Sequence, residues 1–114
     1  KEINVKKSKA LVLGITFKEN CPDIRNTKVI DVIIQLEEHG IDVTTYDPWA
    51  SISDIKNDFN INFTNKLLSE KYDAIILAVS HKEFFEINIE SLKNPVCVVY
   101  DVKGVLGSKA DKAL

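Results

Sequence analysis

The chain has 114 residues, of which 45% are hydrophobic and 28% charged, the size and composition of one globular domain. Its formal net charge of −2 gives no electrostatic reason to expect DNA or RNA as a partner. No apolar run approaches the roughly 20 residues that a membrane-spanning helix needs, and no signal peptide is recognisable. The two cysteines are too few for a disulfide framework or a metal cluster, so we expect a reduced, cytoplasmic protein.

The first residues suggest a piece of a longer protein. The chain begins at Lys1 without a methionine and reaches an apolar run within a few residues. Residues 1–8 are rich in lysine and weakly patterned, so we interpret them as a linker tail. Residues 9–114 are then the folded domain.

Strands and helices are predicted to alternate along the chain. A short apolar run predicts a strand at 9–14, and a long helix follows at about 26–39, with Asn26 or Thr27 placed to cap it. Further elements are a strand at 41–46 closed by Asp47-Pro48, a short helix at 51–58, an edge strand at 61–63, a helical turn near 65–71, a strand at 74–79, a short helix after Ser80-His81 and a last strand at 96–101. This alternation predicts an α/β fold, a three-layer Rossmann-like open parallel sheet with helices on both faces. Right-handed crossovers give the strand order 3-2-1-4-5.

The long predicted helix is apolar over most of its circumference. Its apolar residues are Val29, Ile30, Val32, Ile33, Ile34 and Leu36. A sheet alone does not cover so wide an arc. We expect a second layer there, from residues 80–93, another domain or another subunit.

The loop after the first strand is the main candidate site, because open α/β sheets bind ligands at the carboxyl ends of their strands. It contains Gly14 but no G-x-G-x-x-G, so it is not predicted to be the main dinucleotide site. Its cations, Lys18 and Arg25, suit a phosphate or a carboxylate. In the alternative interpretation Arg25 pairs with Asp23 or Glu19, and Lys18 is solvated.

Other residues are weaker candidates. Lys103 follows the last strand and can converge with Lys18 on a pyrophosphate, or be a solvated loop lysine. His81 can face the same crevice, although a place in the first turn of a helix is the commoner role. Trp49 can stack on a ligand base or pack in its turn. Cys21 lies near a helix N-terminus but has no base fixed beside it, whereas Cys97 is expected in the core.

Over nearly its whole length the chain resembles the C-terminal, UDP-binding domain of the nucleotide-sugar 6-dehydrogenases. This family includes the UDP-glucose, GDP-mannose and UDP-N-acetylhexosamine dehydrogenases. The resemblance is carried by GITFKENCPDIRNTKVIDVIIQLEEHGIDVTTYDPWA, AIILAVSHKEF and VYDVKGVL. The loop pieces G-x-x-F-K and D-x-R, together with Y-D-P, are its most specific part. The sequences of the FKENCPDIRNT loop and of DPWA are most similar to the UDP-N-acetylhexosamine branch.

The resemblance implies an enzyme that oxidises the C6 alcohol of a UDP-sugar to a carboxylate with NAD, for surface (capsule) polysaccharide synthesis. It implies an N-terminal domain that holds NAD, a central domain that builds a homodimer, and a C-terminal domain that binds UDP. Phe17, Lys18 and Lys103 fall on substrate-binding positions, and Arg25 falls on a position that contacts NAD. Lys103 replaces the arginine usual in the family and loses its bidentate fork.

By the same resemblance, the catalytic residues belong to the other domains, and Cys21 is not the family's nucleophile. We therefore assign no catalytic residue and no metal ligand to this chain and expect it to be inactive alone. Expected partners are the UDP-sugar and the other domains of the same enzyme, with no nucleic acid and no membrane. Two alternatives stay open: a free-standing nucleotide-binding or regulatory module, and a complete small enzyme that uses Cys21.

Overall fold

A computed structural model describes residues 8–16, 19–24, 28–67 and 70–101, and the backbone of 112–113. Its strands are β1 (Lys9–Leu13), β2 (Asp42–Tyr46), β3 (Phe63–Thr64), β4 (Tyr72–Leu77), β5 (Lys93–Asp101) and β6 (Lys112–Ala113). They form one sheet in the order β3-β2-β1-β4-β5-β6, with every pair parallel. The predicted order 3-2-1-4-5 is confirmed. The sheet continues one strand further than predicted, through β6.

The central strand β1 has apolar cores on both sides. Ala10, Leu11, Val12 and Leu13 are all completely buried. Leu11 and Leu13 pack into one core cluster, whereas Ala10 and Val12 pack into another. Because alternate residues of a strand point to opposite faces, both faces of the sheet are covered. This explains why the strand is continuously apolar in sequence.

Helices cover both faces, which confirms the three predicted layers. On one face lie α1 (Val29–Glu38) and α2 (Ile52–Asp58), whose Ile33 and Ile55 are fully buried. The opposite face carries two 3₁₀ helices, Lys82–Glu86 and Ile89–Leu92, with Phe84, Ile89 and Leu92 in its core.

Several predicted boundaries were wrong. α1 begins at Val29 with Lys28 at its N-cap and no side-chain cap, while Asn26 and Thr27 lie outside the described residues. The predicted helix after Ser80-His81 is two 3₁₀ helices, and the predicted helical turn near 65–71 is absent from its described residues, 65–67 and 70–71. The predicted strand at 96–101 begins three residues earlier, at Lys93.

The outer side of α1 is not covered by the described part of the chain. Val32 is 45% exposed and Ile34 is 46% exposed. Of the alternatives left open for covering this helix, residues 80–93 are excluded, because that segment packs in the core on the opposite face. Neither α1 nor any other helix in the described ranges has the length and apolarity to cross a membrane.

Candidate functional site

The carboxyl ends of β1, β2 and β4 lie side by side at one edge of the sheet. Leu13, the last residue of β1, is in register with Tyr46 and Leu77, the last residues of its two neighbours. Just beyond them, the Gly14 N–H donates to the Tyr46 carbonyl (2.9 Å) and the Ala78 N–H donates to the Leu13 carbonyl (3.0 Å). The loops that follow the three strands therefore leave the sheet in contact with one another.

Gly14 makes this contact possible. Its φ is +99°, in a region that glycine enters readily and other residues avoid. A Cβ built on Gly14 would lie 2.6 Å from the Val79 Cβ and 2.9 Å from the Val79 backbone nitrogen. The loop after β1 thus begins with its backbone pressed against the loop after β4.

Asp47, directly after β2, joins the loop after β1 to its own turn. Its Oδ2 accepts hydrogen bonds from the N–H groups of Ile15 (2.8 Å) and Thr16 (3.2 Å). Its Oδ1 accepts from the N–H groups of Trp49 (2.7 Å) and Ala50 (3.1 Å). The carboxylate is completely buried, and it satisfies backbone donors that the strand ends leave unpaired.

Hydrogen bonding keeps Asp47 ionised in spite of its burial. Burial opposes the charged form and acts to raise the pKa of the carboxyl group. The hydrogen bonds from His81 and from the Ile15 and Trp49 N–H groups outweigh that effect, and the pKa lies below its ordinary value. Asp47 is therefore a fixed negative charge inside the site.

His81, in the loop after β4, is the second buried polar residue of the site. Its Nδ1 lies 2.8 Å from the Asn20 N–H nitrogen, which can donate only to a ring nitrogen without a proton. Its Nε2 lies 2.9 Å from the Asp47 Oδ2 and 2.9 Å from the Thr16 Oγ1. Nδ1 is therefore the acceptor nitrogen of the ring, and the Nε2 proton faces these two oxygens.

Asn20 makes two hydrogen bonds that connect the loop after β1 to the loop after β4. Its backbone N–H donates to His81, and its side-chain Oδ1 accepts from the Lys82 N–H at 2.9 Å. Its φ is +53°, a left-handed conformation in which asparagine is among the more tolerant residues. Two hydrogen bonds thus hold this exposed residue against the loop after β4.

The Trp49 ring packs against the segment after β4. It stacks on the His81 ring, with centroids 6.0 Å apart and planes inclined by 26°. Its indole N–H donates to the Glu83 Oε1 at 2.8 Å, and the Lys82 ammonium lies 5.6 Å from the ring centroid. Trp49 therefore supports the buried His81 from the side.

The residues predicted to bind ligands, Phe17, Lys18, Arg25 and Lys103, all lie outside the described residues. The prediction that Cys97 lies in the core is confirmed. Cys21 is half-buried and is in no disulfide. Where the structure describes the chain, no three His, Cys, Asp or Glu side chains are grouped to hold a metal ion.

The sequence did not identify Asp47 and Asn20 as parts of the site. Asp47 was interpreted as the start of an Asp-Pro turn and as part of Y-D-P, although a carboxylate directly after a strand also signals a partner for neighbouring backbone donors. His81 was a candidate to face the crevice. It is instead fully buried and faces the two loops.

This edge, with an anchored loop after β1, marks a Rossmann-like nucleotide-binding domain that lacks the glycine-rich dinucleotide turn. The chain belongs to the UDP-glucose/GDP-mannose dehydrogenase family, whose UDP-binding domain matches residues 11–108. The resemblance seen in the sequence is thereby confirmed.

Relatives support the predicted branch of the family. The chain is 42% identical over 109 residues to the UDP-N-acetyl-D-glucosamine 6-dehydrogenases of Salmonella typhi and Pseudomonas aeruginosa, covering 93% of this chain and 26% of each relative. It is 39% identical over 99 residues to Protein CapL of Staphylococcus aureus, covering 85% of this chain and 23% of the relative. The chain thus spans about a quarter of the length of these curated relatives.

Solved structures share the fold. A UDP-glucose dehydrogenase from the hyperthermophilic archaeon Pyrobaculum islandicum superposes with a TM-score of 0.70 at 23% identity, over 94% of this chain and 24% of that chain. A UDP-D-ManNAc dehydrogenase from Pyrococcus horikoshii superposes with a TM-score of 0.63 at 24% identity, over 87% of this chain and 22% of that chain.

Proposed function

We propose that this chain is the UDP-sugar-binding domain of an NAD-dependent nucleotide-sugar 6-dehydrogenase. The full-length enzyme oxidises the C6 alcohol of a UDP-hexose or UDP-N-acetylhexosamine to a carboxylate, for surface polysaccharide synthesis in the cytoplasm. The family match over residues 11–108 carries this proposal. The anchored loop at the carboxyl edge of the sheet supports it, because open α/β sheets bind ligands there.

The proposed ligand contacts come from the loops that follow β1 and β5. Lys18 and Lys103 would neutralise the diphosphate, since lysine binds phosphate as a point charge. Phe17 would contribute an apolar contact to the UDP-sugar. Arg25 would reach NAD bound to a neighbouring domain.

The described residues do not fit NAD as a cofactor of this sheet. The turn after β1 lacks the second and third glycines that bring a pyrophosphate to a helix N-terminus. Asp47, which occupies the position after β2 where a dinucleotide fold can present an acid to a ribose, is buried and accepts five hydrogen bonds from protein donors. We propose that NAD is held mainly by the N-terminal domain of a full-length homodimer, so that this chain alone is inactive.

Lys18 and Arg25 should affect different ligands in the full-length dehydrogenase. Lys18→Ala should raise the KM for the UDP-sugar, and Arg25→Ala should raise the KM for NAD. Each change removes one charge-assisted contact, worth about 1.5–3 kcal/mol or roughly 10- to 150-fold. Steady-state kinetics in which each substrate is varied separately would measure both effects.

Lys66→Ala provides a matched control, because Lys66 is an exposed lysine beyond β3. It should change either KM by less than about threefold, as expected for a surface substitution. If both loop variants also had wild-type constants, Lys18 would be a solvated lysine and Arg25 a partner of nearby acids. The proposed site would then be wrong.

A further inference from the structure

We propose that His81 is a positioning residue for UDP binding, which holds both ends of the short loop after β1. The inference rests on the proposed function and adds a residue to it. His81 is fully buried, so it acts through the loop and does not touch the ligand.

The two ring nitrogens of His81 bind opposite ends of one loop. Nε2 lies 2.9 Å from the Thr16 Oγ1, and Nδ1 accepts from the Asn20 N–H at 2.8 Å. Only residues 17–19 connect these two anchor points. The two anchors thus fix the described backbone on either side of the proposed UDP contacts.

Each anchor has a second hydrogen bond that fixes its orientation. The Thr16 N–H donates to the Asp47 Oδ2 at 3.2 Å, and the Asn20 Oδ1 accepts from the Lys82 N–H at 2.9 Å. The loop is therefore tied to the ends of both β2 and β4. Anchor residues that are already fixed need not be ordered when the ligand binds, so less conformational entropy is lost and affinity increases.

Burial of a histidine does not by itself explain this arrangement. The Nε2 atom faces the Asp47 Oδ2 and the Thr16 Oγ1, and both contacts lie in the interior of the fold. The bond from Nδ1 goes outward to Asn20, an exposed residue whose φ of +53° is unfavourable for most side chains. The outward bond constrains the loop at the sheet edge, where the nucleotide is proposed to bind.

Two substitutions separate the inward bond of His81 from its outward bond. In His81→Gln the side-chain amide reaches the region of Nε2 and can donate to Asp47, but the acceptor for the Asn20 N–H is lost. In His81→Asn the shorter side chain places its oxygen near the Nδ1 position and keeps that acceptor, but the contacts with both Asp47 and the Thr16 Oγ1 are lost. The Thr16 end of the loop then stays anchored by its own N–H bond to the Asp47 Oδ2. UDP affinity, urea unfolding and amide hydrogen exchange at Asn20 are measured on the 114-residue chain.

We expect His81→Gln to weaken UDP binding about tenfold and to speed exchange of the Asn20 amide. We expect His81→Asn to keep UDP affinity within about threefold, although it unfolds at a lower urea concentration. The proposal would be overturned if the variant with the lower urea midpoint were also the weaker UDP binder, so that His81→Asn bound UDP more weakly than His81→Gln. An unchanged Asn20 exchange rate in His81→Gln would also overturn it.

Asn20→Gly keeps the test informative if the His81 variants do not fold. Glycine accepts the left-handed backbone and removes only the bond from the Lys82 N–H. We expect UDP to bind several-fold more weakly with an unchanged urea midpoint, and unchanged affinity would count against loop positioning. If wild-type chain binds no UDP, the proposed function fails and this inference fails with it. If wild-type chain binds UDP but the variants match it, only this inference fails.

Discussion

Replacing Asp47 with asparagine should lower the free energy of unfolding by about 3–5 kcal/mol. The carboxylate accepts five hydrogen bonds, three at Oδ2 and two at Oδ1. Asparagine has a single acceptor oxygen, and its NH2 group would face backbone N–H donors in a site with no exposure to water. At least two buried donors would lose their partner, whichever way the amide is turned.

Urea unfolding at neutral pH measures this loss. Asp42→Asn is the matched control, because Asp42 is an exposed carboxylate at the other end of the same strand. It should change stability by less than about 0.5 kcal/mol. If Asp47→Asn lowered the free energy of unfolding by less than about 1 kcal/mol, the buried carboxylate would not be what holds the loops after β1 and β2 together.

The same variant should change how stability depends on acid. The pKa of Asp47 in the folded protein lies below its ordinary value of 3.8, so the unfolded chain binds the proton more readily. The stabilisation from this carboxylate is therefore complete above about pH 5 and is lost as pH falls below about 4 through the folded pKa. Asp47→Asn should lack this part of the acid destabilisation, as unfolding midpoints between about pH 3 and pH 7 would show.

Replacing Gly14 with alanine should lower the free energy of unfolding by about 2–4 kcal/mol, from strain and overpacking together. Alanine is disfavoured at a φ of +99°. Its methyl group would also lie 2.6 Å from the Val79 Cβ and 2.9 Å from the Val79 nitrogen. Neither atom is the end of a flexible side chain, so the backbones after β1 and β4 would have to separate.

Gly40→Ala separates the two causes. Gly40 has a φ of +82° after the end of α1, so alanine there tests the cost of the left-handed backbone alone, about 1 kcal/mol. Urea unfolding of both variants gives the difference. If both variants lost the same free energy of unfolding, the close approach to Val79 would contribute nothing to the destabilisation of Gly14→Ala.

The sheet was predictable because its strands are marked by composition. The residues 10–13 and 74–77 are continuously apolar, and a strand covered on both faces requires this. Once the crossovers were taken as right-handed, few strand orders remained. β6 was missed because two residues, Lys112–Ala113, give no apolar pattern, and their pairing depends on the neighbouring β5.

The helical segments were predicted less well because their ends depend on tertiary contacts. The segment after His81 has the apolar spacing of a helix, but it forms two short 3₁₀ helices. Its Phe84 packs in the core on one face of the sheet. In α1 the wide apolar arc was real, yet only Ile33 is fully buried. The sequence pattern identified the apolar residues of the helix, but it could not show which of them are buried by other parts of this chain.

The buried network at the site could not be derived from the sequence. Asp47 and His81 are 34 positions apart, and His81 and Asn20 are 61 apart. An aspartate before proline is common in turns, and a histidine after a strand commonly begins a helix. Only the register of β1, β2 and β4 brings these side chains together.

Titration of the 114-residue chain with UDP, followed by backbone amide NMR shifts, tests the central claim most directly. The proposed function predicts saturable shifts at the loops after β1 and β5, with UDP binding at least about tenfold more tightly than uridine. The diphosphate adds charge-assisted contacts of about 1.5–3 kcal/mol that uridine cannot make. Equal responses to UDP and uridine, or no saturable shift at these loops, would contradict a UDP site at this edge of the sheet.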